Sequence, residues 1–164
     1  MRRFKSILTL LAAPLAFSNC MLLSGRCLYE LRNVIAEGQR LENNVVVASA
    51  QLILHEQRDY EPDKDFSWQI QGPELKGHTT RITLRDNAAP STVVYEFPIH
   101  ADPRMVLASG FVRQSEGANV NGFFDLFSSR RAIVVITTDL PQRPTVTIEL
   151  SSVTRDDWTR PYCS

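Results

Sequence analysis

The chain has 164 residues, 43% of them hydrophobic and 22% charged, with 18 basic and 18 acidic side chains and three cysteines. That length holds one domain with a core, and that composition excludes a disordered chain. Arg2, Arg3 and Lys5 stand in a leader without acids; the remainder has 15 basic against 18 acidic side chains, a net of −3. Such a balance gives nucleic acid no positive field and anionic lipid no basic patch.

Met1-Arg2-Arg3-Phe4-Lys5 is a charged start, and Ile7 to Phe17 is an apolar run of signal-peptide length. It is too short to cross a bilayer, which takes ~20 apolar residues. Residues 1–19 are read as an export signal, 20–27 as a short tether and 28–164 as a single domain outside the cytoplasm, in the bacterial envelope or periplasm or secreted. Two kinds of processing stay open. Ala16-Phe17-Ser18 has small residues spaced for ordinary cleavage, whereas Cys20 sits where bacterial lipoproteins carry an acylated cysteine, although Asn19 is not the small residue that pattern wants. Cysteine parity favours the lipid, because acylation of Cys20 leaves Cys27 and Cys163 as a pair.

An oxidising compartment permits a Cys27–Cys163 bridge. The chain-entropy model assigns about 5 kcal/mol to closing a loop of ~136 residues. The other reading is two unpaired buried thiols. Zinc fits poorly, since its ligands cluster and these cysteines have no neighbouring histidine.

Within the domain a first strand is expected from Leu28 to Ala36, stopping at Glu37-Gly38. Asn43-Asn44 predicts a turn before Val45 to Leu54, where Ala48, Ala50, Leu52 and Leu54 share one face and Ser49, Gln51 and Ile53 the other. A polar loop follows, His55 to Asp65. Phe66, Trp68 and Ile70 are expected to face inward on the next strand, which Gly72-Pro73 ends. On a strand from His78 to Arg85, Thr80, Ile82 and Leu84 share a face opposite Thr79, Arg81, Thr83 and Arg85.

Val93 to Phe97 and Met105 to Val112 complete the middle, with Gly110 expected to form a bulge. Asn121 to Phe127 signals a helical turn, followed by strands at Ala132–Thr137 and Thr145–Leu150. About eight short strands and one helix, without long amphipathic helices, predict an all-β antiparallel sandwich or barrel.

The helix–strand–turn–strand order from Phe123 to Leu150, together with Ser67-Trp68-Gln69-Ile70-Gln71-Gly72 and Leu75-Lys76-Gly77, resembles chordin-type (CHRD) domains over roughly 28–153. The family usually carries two histidines, one residue apart, where this chain has Thr83 and Arg85. Its final turn is usually glycine-rich, where this chain has Pro141-Gln142-Arg143-Pro144. The resemblance implies a Greek-key sandwich and no settled activity.

Candidate sites are few. Glu56, Asp59, Glu61, Asp63 and Asp65 crowd one loop, and spacing at every second residue suits a calcium loop. No glycine makes its sharp turn, however, so a solvated loop is the default. His55, His78 and His100 share no ligand spacing beyond the pair in His100-Ala101-Asp102. Ser109-Gly110 and Ser115 lack the context of a nucleophile. Trp158 and Tyr162, with Arg160 between them, are either aromatic anchors for a partner or rings that pack the tail. The expectation is a non-enzymatic binding or structural module without cofactor or metal. It has no nucleic-acid partner, touches membrane only through Cys20, and takes an unknown ligand. The alternative is a metal-binding extracytoplasmic protein that uses histidines and loop carboxylates.

Overall fold

The computed structural model describes residues 30–58, 64–99, 106–114 and 120–156. Strands β1 (Glu30–Glu42) and β2 (Val45–Arg58) form a long hairpin. Its turn residues Asn43 and Asn44 both have positive φ, 51° and 64°, the left-handed pair that a tight two-residue hairpin needs and asparagine tolerates. Then come β3 (Lys64–Gln71), a 3₁₀ turn at Pro73–Leu75, β4 (Thr79–Asp86), β5 (Ala89–Phe97) and β6 (Val106–Arg113). Helix α1 (Val120–Ser128), β7 (Ala132–Thr138), β8 (Thr145–Glu149) and β9 (Ser152–Arg155) complete the order.

Two antiparallel sheets result. The larger has five strands in the order β6-β3-β2-β1-β9, the smaller four in the order β5-β4-β7-β8. Within the larger, β9 returns to lie beside β1, the first strand of the β1-β2-β3 meander, which is the Greek-key placement. Val34 pairs with Arg155 and Glu37 with Ser152. The start of β1 and the end of β9 therefore lie at the same end of the sheet.

Alternation along the strands builds the core. Leu52 and Leu54 of β2, Phe66, Trp68 and Ile70 of β3, Ile82 and Leu84 of β4, and Val134 and Ile136 of β7 are buried between the layers. Phe66 is the hub. Its ring lies 4.8 Å from Phe123 and 5.7 Å from Phe127 of α1, and 6.3 Å from Tyr95 of β5, in tilted or edge-on geometry. The helix buries Val120, Phe123, Leu126 and Phe127, positions that recur every three to four residues, so one stripe of it closes the core. It ends in a Schellman turn. Arg131 N donates to Leu126 O and Arg130 N to Phe127 O, with Arg130 at φ 55°.

Expectation and structure differ in several places. The stretch expected as a polar loop, His55 to Asp65, is strand at both ends, since β2 runs to Arg58 and β3 starts at Lys64, and β5 begins at Ala89 rather than Val93. Strands number nine among the described residues, because Ser152–Arg155, too short and polar to show a pattern, adds to the edge at β1. The first strand continues through Gly38 to Glu42. There the glycine is a contact point: a Cβ would lie 2.0 Å from Glu149 O of β8, so its absence lets the two sheets approach. Gly110 is no bulge, since it pairs in register with Trp68 and the irregularity falls between Ile70 and Gln71. A Cβ at Gly110 would meet Trp68 Cζ2 at 2.8 Å, so the indole occupies that space. Thr80 is exposed rather than aligned with Ile82, because β4 slips in register between Thr79 and Arg81.

Candidate functional site

The outer face of the five-stranded sheet carries the side chains that alternate away from the core. Strand register sets them in rows. Ser109, Gln69, Gln51, Glu37 and Ser152 are successive Cα partners from β6 across to β9. Beside them runs a second row, Phe111, Ser67, Ile53, Ile35 and Thr154. A stripe of amides and hydroxyls thus lies next to a stripe with three apolar side chains.

Two adjoining concavities follow these rows. One, of about 390 Å³, is lined by Glu37, Gln39, Ser49 and Gln71 among others; the second, of about 540 Å³, by Ile53, Ser67, Ser109 and Phe111. Gln51 and Gln69 belong to both and join them. Phe111 is 56% exposed, an unusual state for a phenyl ring in the middle of a strand. Beneath this region Trp68 is 4% exposed and its Nε1 lacks a hydrogen-bond partner among the described residues.

Hydrogen bonds hold several of these groups. Gln51 Nε2 donates to Glu37 Oε2 at 3.3 Å. His55 spans three strands: its Nδ1 lies 2.8 Å from Asn33 Oδ1 and its Nε2 3.0 Å from Ser67 Oγ. The Phe111 ring lies parallel to the imidazole, 3° between planes and 6.0 Å between centroids. With Nδ1 protonated, His55 donates to Asn33 and accepts the Ser67 hydroxyl proton, so both ring nitrogens are satisfied.

Ser67, His55 and Asn33 therefore have the connectivity of a hydroxyl nucleophile, a base and an orienting amide. Among the described residues, the strand that carries Ser67 offers no free backbone donors for an oxyanion. β3 is flanked by β2 and β6, so the backbone N–H groups around Ser67 are committed to the sheet ladders. The trio is better suited to fixing a rigid imidazole under Phe111. Sequence reading missed it, because the three residues come from three strands and only their shared outward positions could have suggested it.

The acidic loop is reached by the described residues at Glu56 and Asp65 alone; Asp59, Glu61 and Asp63 lie outside them. By strand alternation Glu56 belongs to the inner face, with Leu54, and Asp65 to the outer face, opposite His55. Glu56 accepts from Arg32 Nη2 and pairs with Lys64 Nζ at 3.3 Å. Those two cations, with Arg155, surround the Phe124 ring of α1 at 4.6 Å (Arg32), 5.9 Å (Lys64) and 5.6 Å (Arg155). Glu56 is thereby part of the helix seat.

His78 pairs with Asp139 at 3.0 Å at the end of the other sheet, so it and His55 serve separate partners. Among the described residues no group of three or more histidine, cysteine or carboxylate side chains could hold a metal. Cys20, Cys27, Cys163, His100, Asp102, Ser115, Trp158, Arg160 and Tyr162 lie outside the described residues. At the positions where chordin-type domains carry histidines, Thr83 is buried and accepts from Arg85 Nε at 2.9 Å, while Arg85 Nη1 donates to Pro90 O. No helix among the described residues is long and apolar enough to cross a membrane. No family model, curated protein or solved structure matches the chain.

Proposed function

We propose that this chain is an exported, non-enzymatic β-sandwich that works as a binding module of the cell envelope, with the outer face of its five-stranded sheet as the binding surface. The observation that carries this reading is the pair of joined concavities over the Ser109–Gln69–Gln51–Glu37–Ser152 row. Exposed amides such as that of Gln69, beside the half-exposed Phe111 ring, offer contacts to a partner.

Residues 1–19 are the export signal in this proposal, and Cys20 carries lipid. A Cys27–Cys163 bridge is supported by topology, because Cys27 precedes β1 and Cys163 follows β9 in sequence, and the start of β1 and the end of β9 lie at one end of the sheet. The chain is proposed as a divergent relative of chordin-type domains, in which Thr83 and Arg85 replace the paired histidines by a structural hydrogen bond.

Co-sedimentation with purified envelope fragments tests the surface. Wild-type domain is expected to pellet with them, and Phe111→Ala and Gln69→Ala to stay in solution; absence of binding, or binding indifferent to both substitutions, ends the proposal. A fluorophosphonate probe is expected to leave Ser67 unlabelled, and labelling there would make the Ser67–His55–Asn33 trio a hydrolytic centre. Mass spectrometry of the mature, non-reduced protein reads the rest: diacylglyceryl mass on Cys20 and a bridged Cys27–Cys163 peptide are expected, and two free thiols would remove the bridge.

A further inference from the structure

We infer that the ligand of this face is a neutral glycan chain, an assignment that rests on the binding surface proposed above. Charge narrows the choice first. Among the described residues no ionisable side chain lines the second concavity, and Glu37 is the single one lining the first, where its carboxylate already accepts from Gln51. An anionic polymer would find no counter-charge along these rows, and a cationic one a single partly occupied carboxylate.

Backbone pairing narrows it further. A sheet face presents side chains only, because the strand N–H and C=O groups point at neighbouring strands. A peptide laid here could not extend the ladder and would leave its own backbone groups to scattered side-chain partners. A sugar needs no such ladder.

The two rows match the two sides of a pyranose. Each glutamine amide offers an acceptor oxygen and an NH₂ donor in one plane, which meets the donor and acceptor of two adjacent hydroxyls. The serines add hydroxyls that donate or accept as required. Alongside, Phe111, Ile53 and Ile35 supply apolar surface for the ring's C–H face, and the electron-rich face of Phe111 favours polarised C–H groups. The phenyl ring is held by its parallel contact with His55, itself fixed by Asn33 and Ser67, so little ordering is left for binding to impose.

Shape indicates a chain rather than a single sugar. Five strands spaced ~4.8 Å apart give a surface about 19 Å across. The concavities adjoin along it, sharing Gln51 and Gln69, so a polymer segment can lie over both.

The test is calorimetry of the exported domain with neutral gluco-, manno- and chito-oligosaccharides, beside a sulfated oligosaccharide, anionic phospholipid vesicles and a sedimentation measurement of self-association. At least one neutral oligosaccharide should bind with an affinity nearly independent of salt, weakened about tenfold or more by either Phe111→Ala or Gln69→Ala. Both side chains are exposed, so these variants fold. If envelope fragments bind through this face while no neutral oligosaccharide does, the glycan assignment falls and the binding surface stands. Preference for the sulfated sugar or the vesicles overturns the assignment, as does a dimer that Phe111→Ala dissociates, which would give the face to a second copy of the chain. Loss of envelope binding altogether takes both proposals down.

Discussion

The two sheets use their outer faces in opposite ways. On the four-stranded sheet, short β-branched side chains close the surface: Thr83 is 1% exposed although it alternates away from the core, and its pairing partner Val135 is also buried. Arg85 reaches across to Thr83 and Pro90, and Arg81 pairs with Glu96 at 2.6 Å. The Glu96 hydrogen bond, with its charge, raises the Arg81 pKa above the ordinary guanidinium value. On the five-stranded sheet the equivalent positions hold glutamines, serines and an exposed phenylalanine, over which the concavities form. At the centre of one face Thr83 and Arg85 bond to each other, whereas on the other Gln69 and Ser109 stand exposed at the concavities. Equal architecture thus gives one wall tied together by its own side chains and one that, in the proposal above, serves recognition.

Substitutions separate these roles by size of effect. Phe66→Ala removes the hub shared by both layers and is expected to cost about 4 kcal/mol in denaturant unfolding. A change under about 1 kcal/mol would mean the two sheets do not share a core. Gly38→Ala is next, at about 3 kcal/mol, because its methyl must displace the Glu149 carbonyl and with it β8. Thermal unfolding reads it, and an unchanged melting temperature would refute the close approach. Thr83→Val keeps the shape and removes the acceptor for Arg85, for an expected loss of about 1 kcal/mol. Its affinity for envelope fragments should match wild type. Gln69→Ala is the mirror case, with stability within about 0.5 kcal/mol of wild type and binding lost. If Gln69→Ala unfolded the domain, or Thr83→Val abolished binding, the division between the walls would be false.

Much of the fold could be read from alternation alone, as with Phe66, Trp68 and Ile70 inward on β3, or Asn43-Asn44 at the hairpin. Alternation needs length, so four-residue β9 with one partly buried valine escaped it. Gly110 was ambiguous in principle: a glycine within a strand fits a bulge or a close approach, and the choice depends on Trp68, which reaches it only through pairing of β3 with β6. The candidate surface was harder still. Ser49 and Gln51 are legible as outward residues, yet nothing local says that Gln69 and Ser109 line up beside Gln51. Register across three strands decides that, and no single strand shows it. The carboxylates from Glu56 to Asp65 crowd visibly in sequence, yet their described members belong to opposite faces of the sheet.

Because β9 lies antiparallel to β1, the sandwich begins and finishes on one side. A domain with that plan can be spliced as a cassette into a surface loop of a host protein without stretching either junction. The glutamine row would then be displayed on a scaffold of choice, and avidity from several copies could be added without touching a single contact residue.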